Sequence, residues 1–403
     1  AGLVLVTMNP LYTSAECEYA TNLGEVECII CPRGILNVQN YIKHLKDMKK
    51  PPKYQIVIND SDLLNGQVKH DEQDLNNWLN GTIDYRDLVN TSDPNSDRLK
   101  NKTPNKSDDL AMIQFTSGTT GKPKAAAMSH HNIVNNSLHI GQRVGLDFNE
   151  PLCCNVPLFH CFGNVGGSLM CGISGKTLML PFFGWNPTAS LNAIEAHKAK
   201  AMFGTPTMYI DMFQVTDNNP ELKKKLDSLD LGVGAASLVP PEIVKKGSED
   251  YGIILQVAYG STENSPLNTT VYHDDNFENQ TETVGRAIDH SELKIVDHNG
   301  FTVPINTPGE LCTRGYQVFQ GYLNDPEKTA EAIDEKRWYH SGDLATMDEE
   351  GYIRIVGRIK DMIIRGGENV YPSEIEEFLL QQDQVLDVQI VGAPDYRLGE
   401  VVC

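Results

Sequence analysis

Residues 116–124 read Thr116-Ser117-Gly118-Thr119-Thr120-Gly121-Lys122-Pro123-Lys124. They directly follow an apolar run at 110–115 that predicts a buried β-strand. Glycines let backbone N–H groups converge on anionic oxygens, hydroxyls donate further hydrogen bonds, and lysines supply positive charge. Gly118 and Gly121 are too close together for a Walker A loop. The stretch therefore predicts a phosphate-binding loop of another kind, with a flexible surface loop as the alternative.

Strand and helix signals alternate on both sides of this loop. Before it, residues 2–8 and 27–31 predict strands, with a helix at 14–23 between them. Residues 58–109 are polar and predict a surface excursion with helices at 74–79 and 85–90. After the loop, further strands are expected at 178–181, 201–203, 229–233 and 253–258. This alternation predicts an α/β fold with a parallel sheet.

Short alternating strands replace this pattern after residue 280. Asn299-Gly300 separates strand-like residues 293–297 from 301–304, which is a strong hairpin signal. Further strands are expected at 309–314 and within 344–355, where the chain turns at 348–351. The stretch predicts a small antiparallel β unit.

A third unit is expected after a boundary near 358–361. It begins with a strand at 362–365 and a break at Gly366-Gly367. A helix then opens at Ser373, where Ser373 and Glu376 have the spacing of a capping box behind Pro372.

Composition limits the class of protein. With 403 residues, 40% apolar and 22% charged, the chain can bury the cores of two or three globular domains. A formal net charge of −20 argues against nucleic acid or anionic membrane as the main partner. The most apolar stretch, 165–180, is broken by glycines and Lys176 and falls short of the ~20 residues of a membrane span.

The cysteines show no framework spacing. Their number, nine, is odd, and we expect free thiols. Cys28 and Cys31 form a CxxC, but they lie in a strand-like run without a second pair, so neither metal binding nor redox chemistry is expected there.

Further motifs follow the loop in order along the chain. They read Pro157-Leu158-Phe159-His160, Tyr259-Gly260-Ser261-Thr262-Glu263, Tyr339-His340-Ser341-Gly342-Asp343, Gly357-Arg358-Ile359-Lys360-Asp361 and Gly366-Gly367-Glu368-Asn369-Val370-Tyr371-Pro372. Together with residues 116–124 they resemble the motifs of the adenylate-forming superfamily. That superfamily contains acyl-CoA synthetases, luciferase-type enzymes and the adenylation domains of peptide synthetases.

The resemblance implies the fold of that superfamily. Its large N-terminal domain would comprise α/β subdomains at 1–280 and a small distorted β-barrel at 281–357. A hinge would follow at 358–361, and residues 362–403 would belong to a C-terminal α+β lid domain.

The resemblance also implies the cofactor-binding residues. They are Thr116, Ser117, Gly118, Thr119, Thr120, Gly121, Lys122, Lys124, Gly234, Ala235, Ala236, Tyr259, Gly260, Ser261, Asp343, Arg358, Gly366 and Gly367. Small side chains at 234–236 would leave room for the ligand, Tyr259 would offer a flat face to adenine, and Asp343 would accept hydrogen bonds from both ribose hydroxyls. Arg358, always charged, can bond ribose or carboxylate oxygens.

Four residues receive catalytic roles from the resemblance. Thr262 would donate to the α-phosphate, and Glu263 would ligate Mg²⁺ together with Thr116. His160 would lie between the acyl and adenylate sites, with a core histidine as the alternative. Lys360 would be the hinge residue, with an ordinary surface lysine as the alternative.

The implied reaction has two steps and uses ATP, Mg²⁺ and coenzyme A. A fatty acid carboxylate attacks the α-phosphate to give acyl-AMP and pyrophosphate, and the coenzyme A thiol then attacks the mixed anhydride. Finer matches at 9–12, 129–136, 258–266 and 361–369 favour the medium-chain acyl-CoA synthetases. That branch implies medium-length fatty acids and a mitochondrial matrix location. The motifs do not exclude luciferase-type oxidation.

Departures from the superfamily pattern leave two hypotheses open. Ala125-Ala126-Ala127 stand where a glycine usually follows the loop, and we expect them to stiffen or crowd it. Both ends of the chain lie in strand-like runs, so we expect both to be cut. A Gly-Lys motif whose lysine neutralises charge in adenylation is then expected beyond Cys403. The chain is either a piece of a working ligase or a truncated form that binds nucleotide without ligase turnover.

Overall fold

The computed structural model describes residues 2–32, 47–58, 81–91, 104–116, 123–145, 150–365, 368–380, 382, 384–385 and 388–403. The helix expected at 74–79, the loop residues 117–122 and Gly366-Gly367 lie outside the described residues. The chain divides into two compact units. One comprises Ala1–His131, Pro157–Cys161 and Phe319–Pro326, and the other comprises Asn132–Val156, Phe162–Val318 and Glu327–Cys403.

The strands are numbered in chain order. They are β1 (Leu5–Thr7), β2 (Cys28–Pro32), β3 (Tyr54–Ile58), β4 (Ile83–Asp84), β5 (Leu110–Thr116), β6 (Lys124–Ser129), β7 (Pro151–Cys154), β8 (Thr177–Met179), β9 (Ala201–Gly204), β10 (Leu231–Gly234), β11 (Ile254–Gly260), β12 (Leu267–Thr270), β13 (Arg286–Ala287), β14 (Ser291–Val296), β15 (Gly309–Gly315), β16 (Gly321–Tyr322), β17 (Tyr339–Met347), β18 (Ile353–Arg358), β19 (Ile363–Arg365), β20 (Glu368–Val370), β21 (Gly392–Asp395) and β22 (Gly399–Val402).

The helices are numbered in the same way. The α-helices are α1 (Ser14–Leu23), α2 (Tyr85–Thr91), α3 (His130–Val144), α4 (Met170–Ser174), α5 (Pro187–His197), α6 (Pro206–Asn218), α7 (Pro241–Tyr251), α8 (Phe277–Glu282), α9 (Pro326–Ala332) and α10 (Pro372–Leu380). A π-helix covers Phe162–Leu169, and 3₁₀ turns cover Pro220–Leu226, Thr262–Asn264 and Ile359–Asp361.

The first unit contains two sheets. One has the order β1-β5-β6-β16, in which β1 runs parallel to β5 and the other pairs are antiparallel. The other is the parallel sheet β2-β3-β4. Strand β1 pairs in parallel with β5, and β2 pairs in parallel with β3, so the parallel layer expected from the first residues is divided between two sheets. The helix expected at 14–23 is confirmed, and a Thr13–Glu16 capping box begins it.

The second unit is built on a seven-stranded sheet with the order β13-β12-β11-β10-β9-β7-β8. Its strands β7 to β11 are mutually parallel, and β12 and β13 are antiparallel additions. Successive residues of β9 enter different cores: Met202 joins one apolar cluster, and Ala201 and Phe203 join the other. Because such a sheet is covered on both faces, its strands are continuous apolar runs, which is why the sequence predicts them.

The antiparallel unit expected after residue 280 is confirmed. Its sheet has the order β14-β15-β17-β18 and packs Ile295, Leu311, Ala345 and Ile353 together. At the first turn Gly300 has φ +80°, and the Asp297 carboxylate accepts hydrogen bonds from two backbone N–H groups. The second arm of that hairpin is shorter than expected, because only Thr302 forms a bridge to β14.

The last part of the chain forms a sheet with the order β20-β19-β22-β21 and helix α10. The helix begins at Pro372, one residue before the expected start, since proline suits the first helical position. The Glu376 carboxylate accepts a hydrogen bond from the N–H of Ile390 at 2.8 Å.

Two further expectations concern apolar residues and thiols. The apolar stretch 165–180 is divided between the π-helix, α4 and β8. Within the described ranges, no helix is long and apolar enough to cross a membrane. All nine cysteines are free thiols, as expected. Of the CxxC pair, Cys28 is exposed, while burial raises the pKa of Cys31 to about 11.

Candidate active site

Several predicted site residues follow the carboxyl ends of parallel strands in the seven-stranded sheet. Gly204 of β9 lies beside Gly234 of β10, and Gly234 lies beside Val257 of β11. The segments that follow these parallel strands therefore emerge together at their carboxyl ends, where open α/β sheets bind ligands. Ala235-Ala236 follow β10, and Ser261-Thr262-Glu263 follow β11.

Gly260 permits a tight turn after β11. A Cβ atom at this position would lie 1.9 Å from the carbonyl oxygen of Pro266, so only glycine fits. The turn Thr262–Asn264 follows, and it buries Thr262 (6% exposed) and Glu263 (7% exposed). A hydroxyl and a carboxylate are thus held in fixed positions at the edge of the sheet.

Tyr259 and Asp343 are joined by a short hydrogen bond. The Tyr259 hydroxyl donates to Asp343 Oδ2 at 2.5 Å. Burial, followed by the charge of Asp343, raises the pKa of Tyr259 well above its ordinary value, so the phenol remains a donor. Burial also raises the pKa of Asp343, against the opposing effects of the Tyr259 hydrogen bond and the Arg358 charge.

The backbone around Asp343 is fixed by neighbouring β15. The Asp343 N–H donates to the Ser341 hydroxyl, which donates to the Leu311 carbonyl at 2.7 Å. Gly342 has φ +71°, and its N–H donates to Glu310 Oε1 at 3.0 Å. These bonds orient the Asp343 side chain before any ligand arrives.

Arg358 faces Asp343 across the strand pair β17–β18. Its Nε lies 3.5 Å from Asp343 Oδ1, and 62% of its side chain is exposed. A carboxylate oxygen beside an exposed guanidinium is suited to contact a polar ligand from solvent. Lys360 follows in the exposed turn Ile359–Asp361 between β18 and β19.

The first unit holds the two ends of the predicted phosphate loop. Thr116 and Lys124 are opposite each other in the antiparallel pair β5–β6. Lys124 Nζ donates to the Tyr322 hydroxyl at 2.8 Å, and the Thr116 hydroxyl oxygen is buried without a hydrogen-bond partner among the described residues. Residues 125–127 are buried within β6, and the loop residues Ser117 to Lys122 are outside the described part.

His160 lies in a turn that its own N–H closes on the Pro157 carbonyl at 3.1 Å. Gln114 of β5 donates to the Phe159 carbonyl and so ties this segment to the hairpin that ends at Thr116. Burial lowers the pKa of His160, which keeps the imidazole neutral near pH 7.

Three residues around Asp343 were not predicted as site residues. Burial and then the charge of Glu263 raise the pKa of Tyr339, so this phenol stays protonated. Ser341 and Glu310 fix the backbone of Asp343. Tyr339 and Ser341 belong to the quoted motif and could have been found there, whereas Glu310 carries no sequence signal of its own.

The chain matches known proteins along its whole length. Residues 1–323 match the protein family described as AMP-binding enzyme. The Medium-chain acyl-CoA ligase ACSF2, mitochondrial, of Danio rerio is 41% identical over 100% of this chain and 67% of its own length. The Homo sapiens protein of the same name is 38% identical over 100% of this chain and 66% of its own length. The chain thus spans about two thirds of these curated relatives.

Solved structures agree with this match. The ATP-bound crystal structure of MatB from Rhodopseudomonas palustris is similar with a TM-score of 0.78 at 26% identity, over 99% of this chain and 72% of that one. The α/β fold expected from the sequence is therefore confirmed.

Proposed function

This chain belongs to the family of AMP-binding enzymes, and we propose that the protein containing it is an ATP-dependent fatty acid–CoA ligase. In this proposal it activates medium-chain fatty acids through acyl-AMP and forms acyl-CoA, AMP and pyrophosphate. The observation that carries the proposal is the Tyr259–Asp343 pair, held beside the buried Thr262–Glu263 turn at the carboxyl ends of parallel strands. The names of the relatives supply the acid and its chain length.

We place the nucleoside of ATP against Tyr259 and Asp343. The ionised Asp343 carboxylate accepts hydrogen bonds from the ribose hydroxyls, and the Tyr259 phenol holds that carboxylate in position. The small residues Gly234, Ala235 and Ala236 leave room at the adjoining strand end for adenine. Arg358 adds a positive charge on the solvent side.

We assign the phosphates from the motifs, one motif at a time. The loop between Thr116 and Lys124 is the candidate for the outer phosphates, and the Thr262 hydroxyl is the candidate donor to an α-phosphate oxygen. Glu263 would hold Mg²⁺, because a buried carboxylate is an oxygen donor of the type that this ion prefers. A bound Mg²⁺ supplies charge neutralisation on the phosphates.

The first step is an in-line displacement. A fatty acid carboxylate oxygen forms a bond to the α-phosphorus, and the bond to the pyrophosphate oxygen breaks. The residues of the site contribute alignment and charge rather than covalent chemistry. The neutral imidazole of His160 lines the acyl side without adding a charge beside the mixed anhydride.

The second step transfers the acyl group to coenzyme A. The thiol loses its proton to solvent, its sulfur forms a bond to the acyl carbonyl carbon, and the bond from that carbon to the phosphate oxygen breaks as AMP leaves. We place a pivot at Lys360, in the exposed turn between β18 and β19, about which residues 362–403 rearrange so that Gly366-Gly367 approach the thiol.

The test is pyrophosphate exchange into ATP by the full-length protein. The carboxylic acids offered are saturated fatty acids of short, medium and long chain, with amino acids as controls. We expect the fastest exchange with medium-chain acids such as octanoate, and an acyl-CoA product after coenzyme A is added. Absence of exchange with every fatty acid would contradict the proposal.

A mitochondrial location is proposed from the names of the relatives, and the matrix is proposed from the family resemblance of the motifs. Protease protection of the native protein in intact and in swollen, detergent-treated mitochondria would test it. Degradation by protease added to intact mitochondria would contradict a matrix location.

A further inference from the structure

Three side chains of the types that bind metal ions lie close together on neighbouring strands. None of them is among the predicted site residues. Glu310 and Cys312 belong to β15, His340 belongs to β17, and their ligand atoms all lie within 4.8 Å of one another. Cys312 and His340 are directly opposite in the antiparallel register. Glu310 and Cys312 are two residues apart, so both point to the same face of their strand.

The sulfur–nitrogen distance within this cluster matches that around a tetrahedral zinc ion. With Zn–S near 2.3 Å and Zn–N near 2.05 Å, a tetrahedral angle separates sulfur from nitrogen by about 3.5 Å. Cys312 Sγ lies 3.5 Å from His340 Nδ1. Glu310 Oε2 lies 2.7 Å from the same nitrogen and would withdraw by roughly 0.6 Å to reach ligand spacing, which a carboxylate rotation provides.

The outer groups are placed to support a ligand set. Asp334 Oδ2 lies 3.7 Å from His340 Nε2, and a carboxylate on the far nitrogen of a ligating histidine is the usual support of a metal site. Glu310 Oε1 accepts from the Gly342 N–H, so the carboxylate is anchored while Oε2 faces the cluster.

We propose that Glu310, Cys312 and His340 form a binding site for a borderline-soft divalent cation of the Zn²⁺ type. This site goes beyond the proposed function, because none of the three residues belongs to the proposed nucleotide contacts. A thiolate, an imidazole and a carboxylate are the three side-chain types that zinc uses, and three protein ligands leave a fourth position for water. The hard cation Mg²⁺, which prefers all-oxygen sites, is not the expected occupant.

The protons balance when the cation binds. Without metal, the Glu310 carboxylate accepts from His340 Nδ1–H; on binding, that proton moves to Nε2, the nitrogen that faces Asp334 at 3.7 Å. The Cys312 thiol loses its proton to solvent as the metal–sulfur bond forms. Burial, followed by the charge of Glu310, raises the pKa of Cys312 to about 12, with Lys294 opposing this rise and Asp334 adding to it.

The test uses Co²⁺ as a spectroscopic probe of the full chain. Exposed Cys28 and Cys403 are first replaced by serine, so that the buried thiols alone remain. We expect one equivalent of Co²⁺ to give tetrahedral visible bands and a thiolate-to-cobalt charge-transfer band, and Zn²⁺ to displace it. Cys312→Ser should abolish the charge-transfer band. Asp334→Asn should weaken binding by roughly 10- to 100-fold.

Cys154→Ser is the matched control. Cys154 is as deeply buried and its pKa is likewise raised to about 12 by burial, but its sulfur contacts the Val156 carbonyl instead of an imidazole. It should leave the Co²⁺ spectrum unchanged. No charge-transfer band in the parent, or a band that survives Cys312→Ser, would overturn the proposal.

Near-ultraviolet circular dichroism identifies any variant that fails to fold. If Cys312→Ser does not fold, Glu310→Gln and His340→Gln replace it in the test, since both leave the thiol in place. Each should lower Co²⁺ affinity at least tenfold, and unchanged affinity in both would overturn the site.

Discussion

Two carboxylates of one antiparallel sheet differ in what surrounds them. Asp343, on β17, lies between the Tyr259 phenol and the exposed Arg358 guanidinium. Glu310, on β15, lies between the His340 imidazole and the Gly342 N–H, beside a fully buried thiol at Cys312. The first environment offers a hydrogen-bond acceptor to a polar organic ligand, and the second offers ligands of the types that a borderline-soft cation binds.

The irregular pairing of β15 and β17 separates the two environments. Between the pairs Glu310–Leu344 and Cys312–His340, β15 contributes one residue and β17 contributes three. The two additional residues on β17 let Asp343 turn toward Tyr259 while His340 stays opposite Cys312. The comparison teaches that a local insertion in one strand can place two unrelated chemistries on neighbouring residues.

The strongest way to break this comparison is Asp343→Ala. Removing the proposed charged hydrogen bonds to the ribose should cost about 2–3 kcal/mol, so kcat/KM for ATP in the exchange reaction should fall about 100-fold. Co²⁺ affinity should stay within threefold, because the Glu310 cluster is untouched. Cys312→Ser is the reciprocal control and should lose Co²⁺ while keeping kcat/KM for ATP. Loss of both properties in either variant would contradict the separation.

The next largest effect is the pH dependence of ATP affinity. The pKa of Asp343 is raised by burial, so its carboxylate takes up a proton as pH falls through a value above the ordinary 3.8. Affinity should then fall by up to tenfold per pH unit in the acid range. The raised pKa also affects stability. Because the pKa of Asp343 is higher in the folded than in the unfolded state, its ionisation lowers the free energy of unfolding of the ligand-free protein as pH rises.

Asp343→Asn separates these effects. It should remove the loss of ATP affinity at low pH (the acid limb) that is attributed to Asp343. It should also raise the melting temperature of the ligand-free protein at pH 7, which calorimetry would measure. An acid limb that persists unchanged in Asp343→Asn would assign the titration to another group.

Tyr259→Phe sharpens the comparison from the partner side. It removes one hydrogen bond to a carboxylate but retains the ring, so kcat/KM for ATP should fall roughly 5- to 10-fold. Because that hydrogen bond lowers the pKa of Asp343, the acid limb should also move to higher pH. Tyr251→Phe, which changes a phenol bonded to Asp217 and Thr216, serves as the matched control and should change neither property.

The smallest effect is expected for Arg358→Gln. Its guanidinium is largely exposed and its nearest contact with Asp343 is 3.5 Å, so solvent screens the pair. We expect a loss of about threefold in ATP affinity at low salt, and less at high salt. A loss that is large and independent of salt would show that Arg358 contacts the ligand directly.

Much of the fold follows from the sequence because its signals are local. The strands of the parallel sheet are apolar on both faces and stand out as continuous runs, as at β9 and β11. Turns such as Asn299-Gly300 are set by backbone conformation and were predicted correctly. The length of the second arm of that hairpin, expected at 301–304, was overestimated. An arm that pairs through a single bridge is too short to have a periodic sequence pattern that would distinguish it from coil.

The site is only partly local. The motifs locate Tyr259 and Asp343 separately, but their hydrogen bond joins residues 84 positions apart and depends on tertiary packing. The Glu310–Cys312–His340 cluster depends on two extra residues in β17, which no spacing rule reveals. The roles of Ser117 to Lys122, Gly366 and Gly367 remain predictions.

The most direct test of the central claim compares ATP with 2′-deoxy-ATP and 3′-deoxy-ATP in octanoate-dependent pyrophosphate exchange. If Asp343 holds the ribose, the wild-type protein should prefer ATP over each analogue by about tenfold or more in kcat/KM. In Asp343→Asn this preference for ATP should shrink to within about threefold. Removing a ribose hydroxyl and removing the Asp343 carboxylate abolish the same hydrogen bonds, so the two losses do not add. An undiminished preference in Asp343→Asn would contradict the account.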